Sequence, residues 1–351
     1  MSNIKSKTQT HTQVVYFHSK ENIIYGKHMS HSSSKGYQAT INKLINSPYR
    51  IAQIYVDNPR RFDASLTHDA KKCQDLLLAR GLLETHQLQL IIHASLVNQI
   101  TSTTSQYVAN TRTRLCHELD MGAILGCGVV VHFGSNPDVV KGVAESAKTV
   151  EYVLSHISVE TKLFASLLNI TPQEFITKRR LLLENSAGEG KKMGYTLQGI
   201  QDVLSTVNAK YESQLGVCID TAHLFGAGDY DLGLVPDVKR FFSDFDSIIG
   251  RERLWCFHLN DSRVELGSRK DKHELLGEGW QFYVDAKTKR NGLKGLTALV
   301  RSAGLRGVPI IGETPQKDAD GNIIYNGGKH DYDLLNELCK IYTVRVAKAK
   351  R

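Results

Sequence analysis

The sequence predicts a single α/β domain folded as a (β/α)8 TIM barrel, and a repeated pattern in the 351-residue chain supports this. Eight short apolar segments recur along it, each rich in β-branched or aromatic residues and bounded by polar or turn-forming residues. A polar stretch with helical character follows each one. Apolar strands alternating with helices indicate a parallel sheet buried on both faces, and eight such units at this length suggest a closed barrel.

The eight predicted strands are, in order, IIYGKH (23–28), IAQIYV (51–56), LQLIIH (88–93), GCGVVVH (126–132), RLLLEN (180–185), LGVCID (215–220), RLWCFHLN (253–260) and VPIIGE (308–313). Periodicity alone fits an open, doubly wound sheet about equally well. No linker divides the chain, so we predict one domain over residues 21–343. A basic, flexible extension at 1–20 and a basic tail at 344–351 would flank it.

One connection is too long for a simple barrel unit. It follows the fourth strand, and the stretch 155–175 within it is predicted to be helical. The sequence TPQE at 171–174 has the pattern of a capping box, with Pro172 at the first helical position. No chemistry is assigned to this region.

Composition narrows the functional classes. Hydrophobic residues make up 41% and charged residues 23%, which is typical of a folded globule, and no apolar run is long enough to span a bilayer. The net charge of +8 favours polyanionic partners. Six cysteines lack CxxC spacing, which predicts buried thiols in a reducing, intracellular compartment. Nucleus, cytoplasm and a virus-associated setting are equally compatible.

Seven of the eight apolar segments end at, or just before, a side chain that can bind a metal ion. In chain order these side chains, with further candidates from the following loops, are His28, His93, His132, Glu184, Asp220 with His223, His258 with Asp271 and His273, and Glu313. A single histidine or aspartate at a strand end more often forms a hydrogen bond than binds a metal. The same chemistry at seven strand ends indicates a shared role.

In a barrel the carboxyl ends of all strands meet at one rim, where catalytic sites of this fold lie. We therefore predict that five histidines and four carboxylates, the set above without His28, share one bowl. Imidazole and carboxylate ligands without cysteine suit zinc or manganese. Nine ligands exceed the needs of one tetrahedral ion and fit two or three ions with a bridging carboxylate. Such cations would also relieve the repulsion among crowded carboxylates.

Several motifs carry a resemblance to the endonuclease IV family of metal-dependent apurinic/apyrimidinic endonucleases. They are HASL (93–96), HFGS (132–135), ENSAGEG (184–190), GVCIDTAHLFGAG (216–228), HLNDSRVELGSRKDKHELLGEG (258–279) and GETP (312–315). The resemblance runs from about Tyr25 to Leu335. It implies a (β/α)8 barrel that holds three zinc ions, with manganese as an alternative at one or more sites.

Carried over position by position, the resemblance implies three ligand sets: His93, His132 and Glu184 for one zinc; Glu184, Asp220, His258 and Glu313 for a second; His223, Asp271 and His273 for the third. Glu184 would bridge the first two ions together with a hydroxide that attacks the phosphodiester. Glu184 and Glu313 are thus the candidate catalytic residues, with Glu313 predicted as a ligand and, alternatively, a general base. His28 is predicted to support the site without binding zinc.

The resemblance also implies DNA contacts outside the metal site. Arg60, in the segment VDNPRRF (56–62), matches an arginine that enters DNA near the lesion, with Arg61 as the neighbouring alternative. Leu96 stands where the family commonly has a tyrosine that packs against the abasic site. An apolar leucine can still wedge into the gap but loses aromatic stacking.

The loop around the third ligand set adds cationic candidates. Arg263, Arg269 and Lys272 are predicted to contact phosphates, with pairing to carboxylates such as Glu265 as the alternative. Trp280 departs from the small residues that the family places there. We predict that Trp280 packs in the core, with a DNA contact as the alternative.

The resemblance implies hydrolysis of the phosphodiester 5′ to an abasic site, giving 3′-hydroxyl and 5′-deoxyribose-phosphate ends, together with trimming of blocked 3′ ends. The partner would be double-stranded DNA that carries these lesions, bound by a monomer. Two alternatives remain. One is a metal-dependent sugar isomerase or epimerase on a related barrel, which needs only one or two ions. The other is a non-enzymatic DNA-binding relative.

Overall fold

The computed structural model describes residues 14–17, 23–32, 34–62, 68–315, 327–340 and 343–346. These residues form strands β1 (Val14–Phe17), β2 (Tyr25–His28), β3 (Ile51–Ile54), β4 (Gln89–His93), β5 (Gly128–His132), β6 (Leu181–Glu184), β7 (Leu215–Asp220), β8 (Leu254–His258), β9 (Asp261–Ser262), β10 (His273–Glu274), β11 (Val284–Asp285), β12 (Arg290–Asn291), β13 (Ile310–Gly312) and β14 (Thr343–Val346).

Eight of these strands close into a parallel barrel in the order β13-β2-β3-β4-β5-β6-β7-β8. Each coincides with one of the eight apolar segments of the sequence. The prediction of a (β/α)8 barrel is therefore confirmed, and the open, doubly wound alternative is wrong. Closure removes the unpaired edges that an open sheet leaves.

Helices connect successive strands and pack around the barrel. They are α1 (Gly36–Ile45), α2 (Ala70–Thr85), α3 (Ser105–Leu125), α4 (Val139–Ser155), α5 (Val159–Leu167), α6 (Pro172–Ile176), α7 (Leu197–Thr206), α8 (Thr221–Ala227), α9 (Val235–Ile248), α10 (Gly292–Arg306) and α11 (Gly327–Cys339), with 3₁₀ turns at Ala209–Gln214 and Arg251–Arg253. The larger apolar core lies between this ring and the strands. None of the helices described is long and apolar enough to cross a membrane.

The barrel interior is built in layers because side chains along a strand alternate between its two faces. One layer is a separate apolar cluster with one side chain from each of seven strands: Ile51, Ile91, Val130, Leu182, Cys218, Cys256 and Ile311. Two positions further along the same strands are Gln53, His93, His132, Glu184, Asp220, His258 and Glu313. A two-residue period therefore places a polar layer directly on an apolar floor.

The six cysteines are free and buried, in agreement with the prediction of buried thiols. Parts of both predicted extensions have regular structure, since β1 pairs antiparallel with β14. The remaining residues of these extensions, 1–13, 18–20 and 347–351, lie outside the described residues.

The long connection after β5 contains α4, α5 and α6. The capping box predicted at 171–174 is present, with reciprocal hydrogen bonds between Thr171 and Glu174 and with Pro172 in the first turn. Arg179 joins these helices to the barrel: it is fully buried, its Nη2 donates to Asp120 Oδ1 over 2.7 Å, and its Nη1 donates to the carbonyl of Val153. This buried ion pair fixes an insertion whose placement the sequence does not reveal.

Asp120→Ala should lower the free energy of unfolding by about 3–5 kcal/mol, because Arg179 would keep a buried charge without its partner. Urea denaturation followed by circular dichroism measures the change. Asp333→Ala is the matched control, since that side chain is 56% exposed and pairs with Lys329 on the surface of α11. The control should lose less than about 1 kcal/mol. Equal losses in the two variants would contradict the role given to Arg179.

Candidate metal centre

All nine sequence-predicted ligands lie at the carboxyl-end rim of the barrel. A cavity of about 340 Å³ opens there. Seven of the nine line it: His93, His132, Glu184, His223, Asp271, His273 and Glu313. The other two, Asp220 and His258, are fully buried beneath. The structure thus brings together side chains that are up to 220 positions apart in the chain, from 93 to 313.

Glu184 occupies the middle of the bowl and is buried. Its Oε2 lies 3.4 Å from His93 Nε2 and 3.3 Å from His132 Nδ1. Its Oε1 lies 2.9 Å from His258 Nδ1. The two carboxylate oxygens therefore face different histidines, as a carboxylate that bridges two cations would.

A second group surrounds the other oxygen of Glu184. Ligand atoms of Glu184, Asp220, His258 and Glu313 all lie within 4.8 Å of one another. His258 Nδ1 is also 3.2 Å from Glu313 Oε2. This set matches the second ligand set that the resemblance implies.

The residues of the third ligand set follow the strands, at the start of α8 and in the segment after β8. His223 lies in the first turn of α8, and its Nε2 is 3.2 Å from Asp271 Oδ2. His273 Nε2 is 3.3 Å from Asp271 Oδ1 and 3.4 Å from Asp220 Oδ2. Asp220 thus stands between the second and third sets, a position that the sequence alone does not reveal.

The histidines are oriented by the ring nitrogens that face away from the centre. His93 Nδ1 lies 2.7 Å from the carbonyl oxygen of Ala94, and His223 Nδ1 lies 2.9 Å from that of Asn185. A carbonyl can only accept, so each Nδ1 carries a proton, and each Nε2 would offer a lone pair to a cation in the bowl after losing its own proton. Such outer hydrogen bonds are typical of histidines that bind metals.

Gln53 is a member of this layer that the sequence analysis missed. Its Oε1 lies 2.8 Å from His258 Nε2, and its Nε2 donates to Glu313 Oε1 over 2.5 Å. Nε2 also lies 3.2 Å from His28 Nδ1, so His28 supports the site through Gln53. The two-residue period from Ile51 could have identified Gln53, but a glutamine at a strand end carries no metal signal of its own.

Two asparagines hold Asp220 and Glu313 in place, through one carboxylate and two backbone N–H groups. Asn260 Nδ2 donates to Asp220 Oδ2 over 2.7 Å, while its Oδ1 accepts the backbone N–H of Glu313 over 2.9 Å. Asn185 Oδ1 accepts the backbone N–H of Asp220 over 2.6 Å. Neither asparagine was singled out in the sequence, although both lie in the motifs quoted above.

Asp261 organises the loop that delivers the third set. Its carboxylate is buried and accepts backbone N–H groups of five residues: Ser262, Gly277, Gly279, Gln281 and Phe282. The loop between them carries Asp271 and His273. One side chain therefore closes the loop into a fixed shape over the bowl.

Burial and charge act in opposite directions on the histidines. Burial disfavours the charged imidazole of His223, but Asp220 and Asp271 outweigh it and raise its pKa to about 10. At His132 burial dominates and lowers the pKa to about 4. The bowl therefore has an excess of negative charge around His223, where cations would replace protons on binding.

The donor set fits divalent cations. Glu184 Oε2 and His273 Nε2 are buried, and their polar neighbours at 3.3–3.4 Å are not in hydrogen-bond geometry, so neither atom has a hydrogen-bond partner among the described residues. An unpaired buried polar atom is costly unless a ligand completes it. Nitrogen and oxygen donors without sulfur suit zinc or manganese, as predicted. The identity and number of the ions stay predictions.

Two of the predicted DNA contacts lie beside the bowl. Leu96 is 49% exposed and lines the cavity, and Arg60 is exposed on the loop after β3. Tyr55 was not predicted to take part, yet it also lines the cavity and its ring lies 5.2 Å from that of His93. An aromatic surface is therefore present close to Leu96.

The predicted cations of the loop after β8 differ in their contacts. Arg263 Nε pairs with Glu274 at 3.0 Å, so a carboxylate partner exists but it is not Glu265. Arg269 lies over the Tyr195 ring at 4.3 Å. Lys272 is exposed. The three DNA contacts stay predictions.

The prediction that Trp280 packs in the core is wrong. Its side chain is 47% exposed and meets the Tyr283 ring edge-on at 6.3 Å. The backbone of this segment is instead held by Asp261, which leaves the indole outside. Trp280 is thus available for the alternative that the sequence left open, a contact with DNA.

The comparisons with known proteins identify relatives of this chain. The AP endonuclease 2 family model, described as a xylose isomerase-like TIM barrel, matches residues 46–332. A probable endonuclease 4 of Thermoplasma acidophilum is 31% identical over 242 residues, covering 68% of this chain and 72% of that protein. The apurinic-apyrimidinic endonuclease 1 of Saccharomyces cerevisiae is 35% identical over 164 residues, covering 46% of this chain and 40% of that protein.

Solved structures share the fold. Endonuclease IV from Thermus thermophilus superposes with a TM-score of 0.67 and 24% identity, over 90% of this chain and 99% of that chain. A D-tagatose 3-epimerase-like protein superposes with a TM-score of 0.57 and 15% identity, over 91% of this chain and 98% of that chain. At these identities the likeness shows the barrel alone.

Gln53→Leu should lower cation affinity about 10–100-fold, because His258 and Glu313 would lose the amide that orients them. Competition against a chromophoric zinc chelator measures the affinity. Gln198→Leu is the matched control, an exposed glutamine on α7. Unchanged affinity in the Gln53 variant would show that the layer holds its geometry without this amide.

Proposed function

The chain belongs to the endonuclease IV family, and from this premise we propose that it hydrolyses DNA on the 5′ side of abasic sites. The products would be 3′-hydroxyl and 5′-deoxyribose-phosphate ends. We include trimming of blocked 3′ ends, since the same phosphodiester chemistry serves both substrates. The enzyme would act in DNA repair.

The observation that carries this proposal is the position of Glu184 between two groups of ligands. Paired divalent cations in such a site act as Lewis acids, activate water near neutral pH and neutralise charge on both sides of a phosphodiester. His93 and His132 would hold one cation with Glu184, while Asp220, His258 and Glu313 would hold the other. His223, Asp271 and His273 would hold a third.

The protein residues keep this arrangement rigid. Asp220 and His258 are fully buried, so the floor of the bowl admits no bulk water around them. Gln53, Asn185 and Asn260 hold their ligand partners by direct hydrogen bonds. A preorganised site of this kind need not reorganise when charge develops in the transition state.

Charge favours a polyanionic substrate once cations are bound. The chain has a net charge of +8, and three divalent cations would add six positive charges at the rim. DNA would then be attracted even though the bowl is lined by carboxylates. Arg60, Arg263, Arg269 and Lys272 are proposed to contact its phosphates.

We propose that the abasic sugar turns out of the helix into the bowl. Little energy opposes this movement, because no base pair has to be broken at an abasic position. Leu96, exposed at the edge of the cavity, would fill the gap left in the duplex. Tyr55 lies on the wall of the same cavity, where its ring can pack against the sugar.

Sugar epimerisation is the main alternative, since an epimerase-like structure shares the barrel. Its identity of 15% contrasts with 31% to a probable endonuclease 4. The third ligand set also favours the nuclease, because an epimerase needs only one or two cations. One bound cation per chain, measured by elemental analysis, would support the epimerase instead.

Glu184→Gln should reduce nicking of a duplex with one tetrahydrofuran site on the order of 10³-fold or more. The amide would lose the charge that serves two cations, each worth several kcal/mol to the transition state. Strand cleavage on denaturing gels measures the rate, before and after prolonged chelation of the wild-type protein.

The matched control is Glu84→Gln on α2, where the carboxylate is 64% exposed and pairs with Arg80. It should nick at the wild-type rate. Wild-type nicking by Glu184→Gln would refute the proposed chemistry. DNA binding without cleavage by the cation-loaded wild type would support the non-enzymatic alternative.

Arg60→Ala should weaken DNA binding and make it less sensitive to salt. In a plot of log binding constant against log salt concentration, the slope should become shallower by about 1, as expected for one lost phosphate contact. Fluorescence anisotropy at several salt concentrations measures it. Arg251→Ala is the control, because Arg251 is exposed just before β8, at the opposite rim. An unchanged slope for Arg60→Ala would remove Arg60 from the interface.

A further inference from the structure

A second cluster of titratable side chains lies outside the bowl. It consists of His68 just before α2, His117 on α3, Glu160 on α5 and Asp57 after β3. The side chains of His68, His117 and Glu160 are 6%, 4% and 6% exposed. Buried charged groups are rare unless they are paired or bind a metal.

Three of these side chains converge on one point. His117 Nδ1 lies 2.9 Å from Glu160 Oε2, and His68 Nε2 contacts Glu160 Oε1. One nitrogen from each histidine and one oxygen of Glu160 all lie within 4.8 Å of one another. The two rings lie face to face, 6.1 Å apart at their centroids and 27° from parallel, with both nitrogens directed at the same carboxylate.

The remaining contacts match the outer hydrogen bonds of a metal site. His117 Nε2 lies 3.1 Å from Asp57 Oδ2, which also accepts from Arg114 Nη1 over 3.1 Å. A histidine that binds a metal through one nitrogen commonly donates its other N–H to a carboxylate, which fixes the ring. Asp57 takes that place here, and Arg114 holds Asp57.

We propose that His68, His117 and Glu160 bind one divalent transition-metal cation, zinc in the first instance, at a site separate from the bowl. Two imidazoles and a carboxylate are ligands that zinc accepts, with water available for a fourth position. In a tetrahedral zinc site neighbouring ligand atoms stand about 3.3 Å apart, from bond lengths of about 2.0 Å. The observed 2.9 Å between His117 and Glu160 therefore has to widen by a few tenths of an ångström. The contact between His68 and Glu160 is shorter and has to widen further.

Local charge also favours a cation. Among the described side chains, Asp57, Glu118 and Glu160 bring three negative charges and Arg114 brings one positive charge. A divalent ion would balance the remainder. It can enter from either side: a cavity of about 390 Å³ is lined by Asp57, His68 and His117, and one of about 290 Å³ by His117 and Glu160.

The alternative is an imidazolium ion that donates from both nitrogens to Glu160 and Asp57. Burial opposes a charge on His117, but hydrogen bonds to these carboxylates raise its pKa to about 9. In that arrangement Glu160 accepts from His117 at Oε2 and from His68 at Oε1, so the contacts form without a metal ion. Metal content distinguishes the two.

A metal ion at this site would also hold the predicted DNA-contacting residues in position. This consequence rests on the proposed function, but the metal site itself is proposed independently of it. Asp57 and His68 stand on either side of Arg60 in the sequence. Arg114 joins Asp57 to Glu118, and Glu118 Oε1 accepts the backbone N–H of Ser95 over 2.8 Å. Leu96 follows directly, so the cluster supports both predicted DNA-contacting loops.

The test is the zinc content of the full-length protein after equilibration with zinc and removal of the excess. His68→Ala should bind one ion per chain fewer than the wild type. Glu160→Gln should lose the same ion. The difference does not depend on how many ions the bowl holds, so the result is independent of whether the proposed function is right.

His86→Ala is the matched control, because this histidine lies at the opposite end of α2 and belongs to no group of candidate ligands among the described residues. It should keep the wild-type content. Circular dichroism confirms that each variant is folded. Wild-type zinc content in folded His68→Ala, or in folded Glu160→Gln, would overturn the proposal and leave a hydrogen-bonded ion network.

Discussion

The candidate metal centre depends on the alternation of side chains along strands of a closed barrel. Side chains on one face of a strand recur every second residue. The residue two positions after each member of the inner apolar layer therefore also points into the barrel, one layer closer to the carboxyl-end rim. Seven strands therefore contribute to one polar layer, from Gln53 on β3 to Glu313 after β13. A shift of one residue in any strand would turn its ligand out of the bowl and into the surrounding helices.

A layer that contains buried carboxylates is stable only if every charge has a partner. Glu184 has histidines on both oxygens, and Asp220 has Asn260 and His273. The amides of Gln53 and Asn260 complete the outer hydrogen bonds. An apolar substitution at one of these amides would leave buried polar partners unsatisfied, and a half-satisfied buried network is worse than none.

Outside this layer buried charged side chains, each with its polar partners, place loops and inserted helices. Arg179 and Asp120 connect the insertion after β5 to the barrel, and Asp261 gathers five backbone N–H groups of the loop that carries Asp271. The cluster of His117 and Glu160 joins α3 to α5 in the same region. Ionic contacts therefore place the loops and the inserted helices, whereas apolar packing shapes the barrel.

The sequence by itself determined the eight strands, their ends and the types of ligand, because strand periodicity is local and six of the nine ligands end or directly follow their own strand. Periodicity alone left open whether the sheet closes, and the tertiary structure shows that it does. It also showed the capping box at Thr171, a motif of four consecutive residues. Only the tertiary structure decided what depends on contacts between distant segments. Gln53 meets His258 across 205 positions, and His68 meets Glu160 across 92. The exposure of Trp280 likewise follows from a loop held by Asp261, which no local pattern encodes.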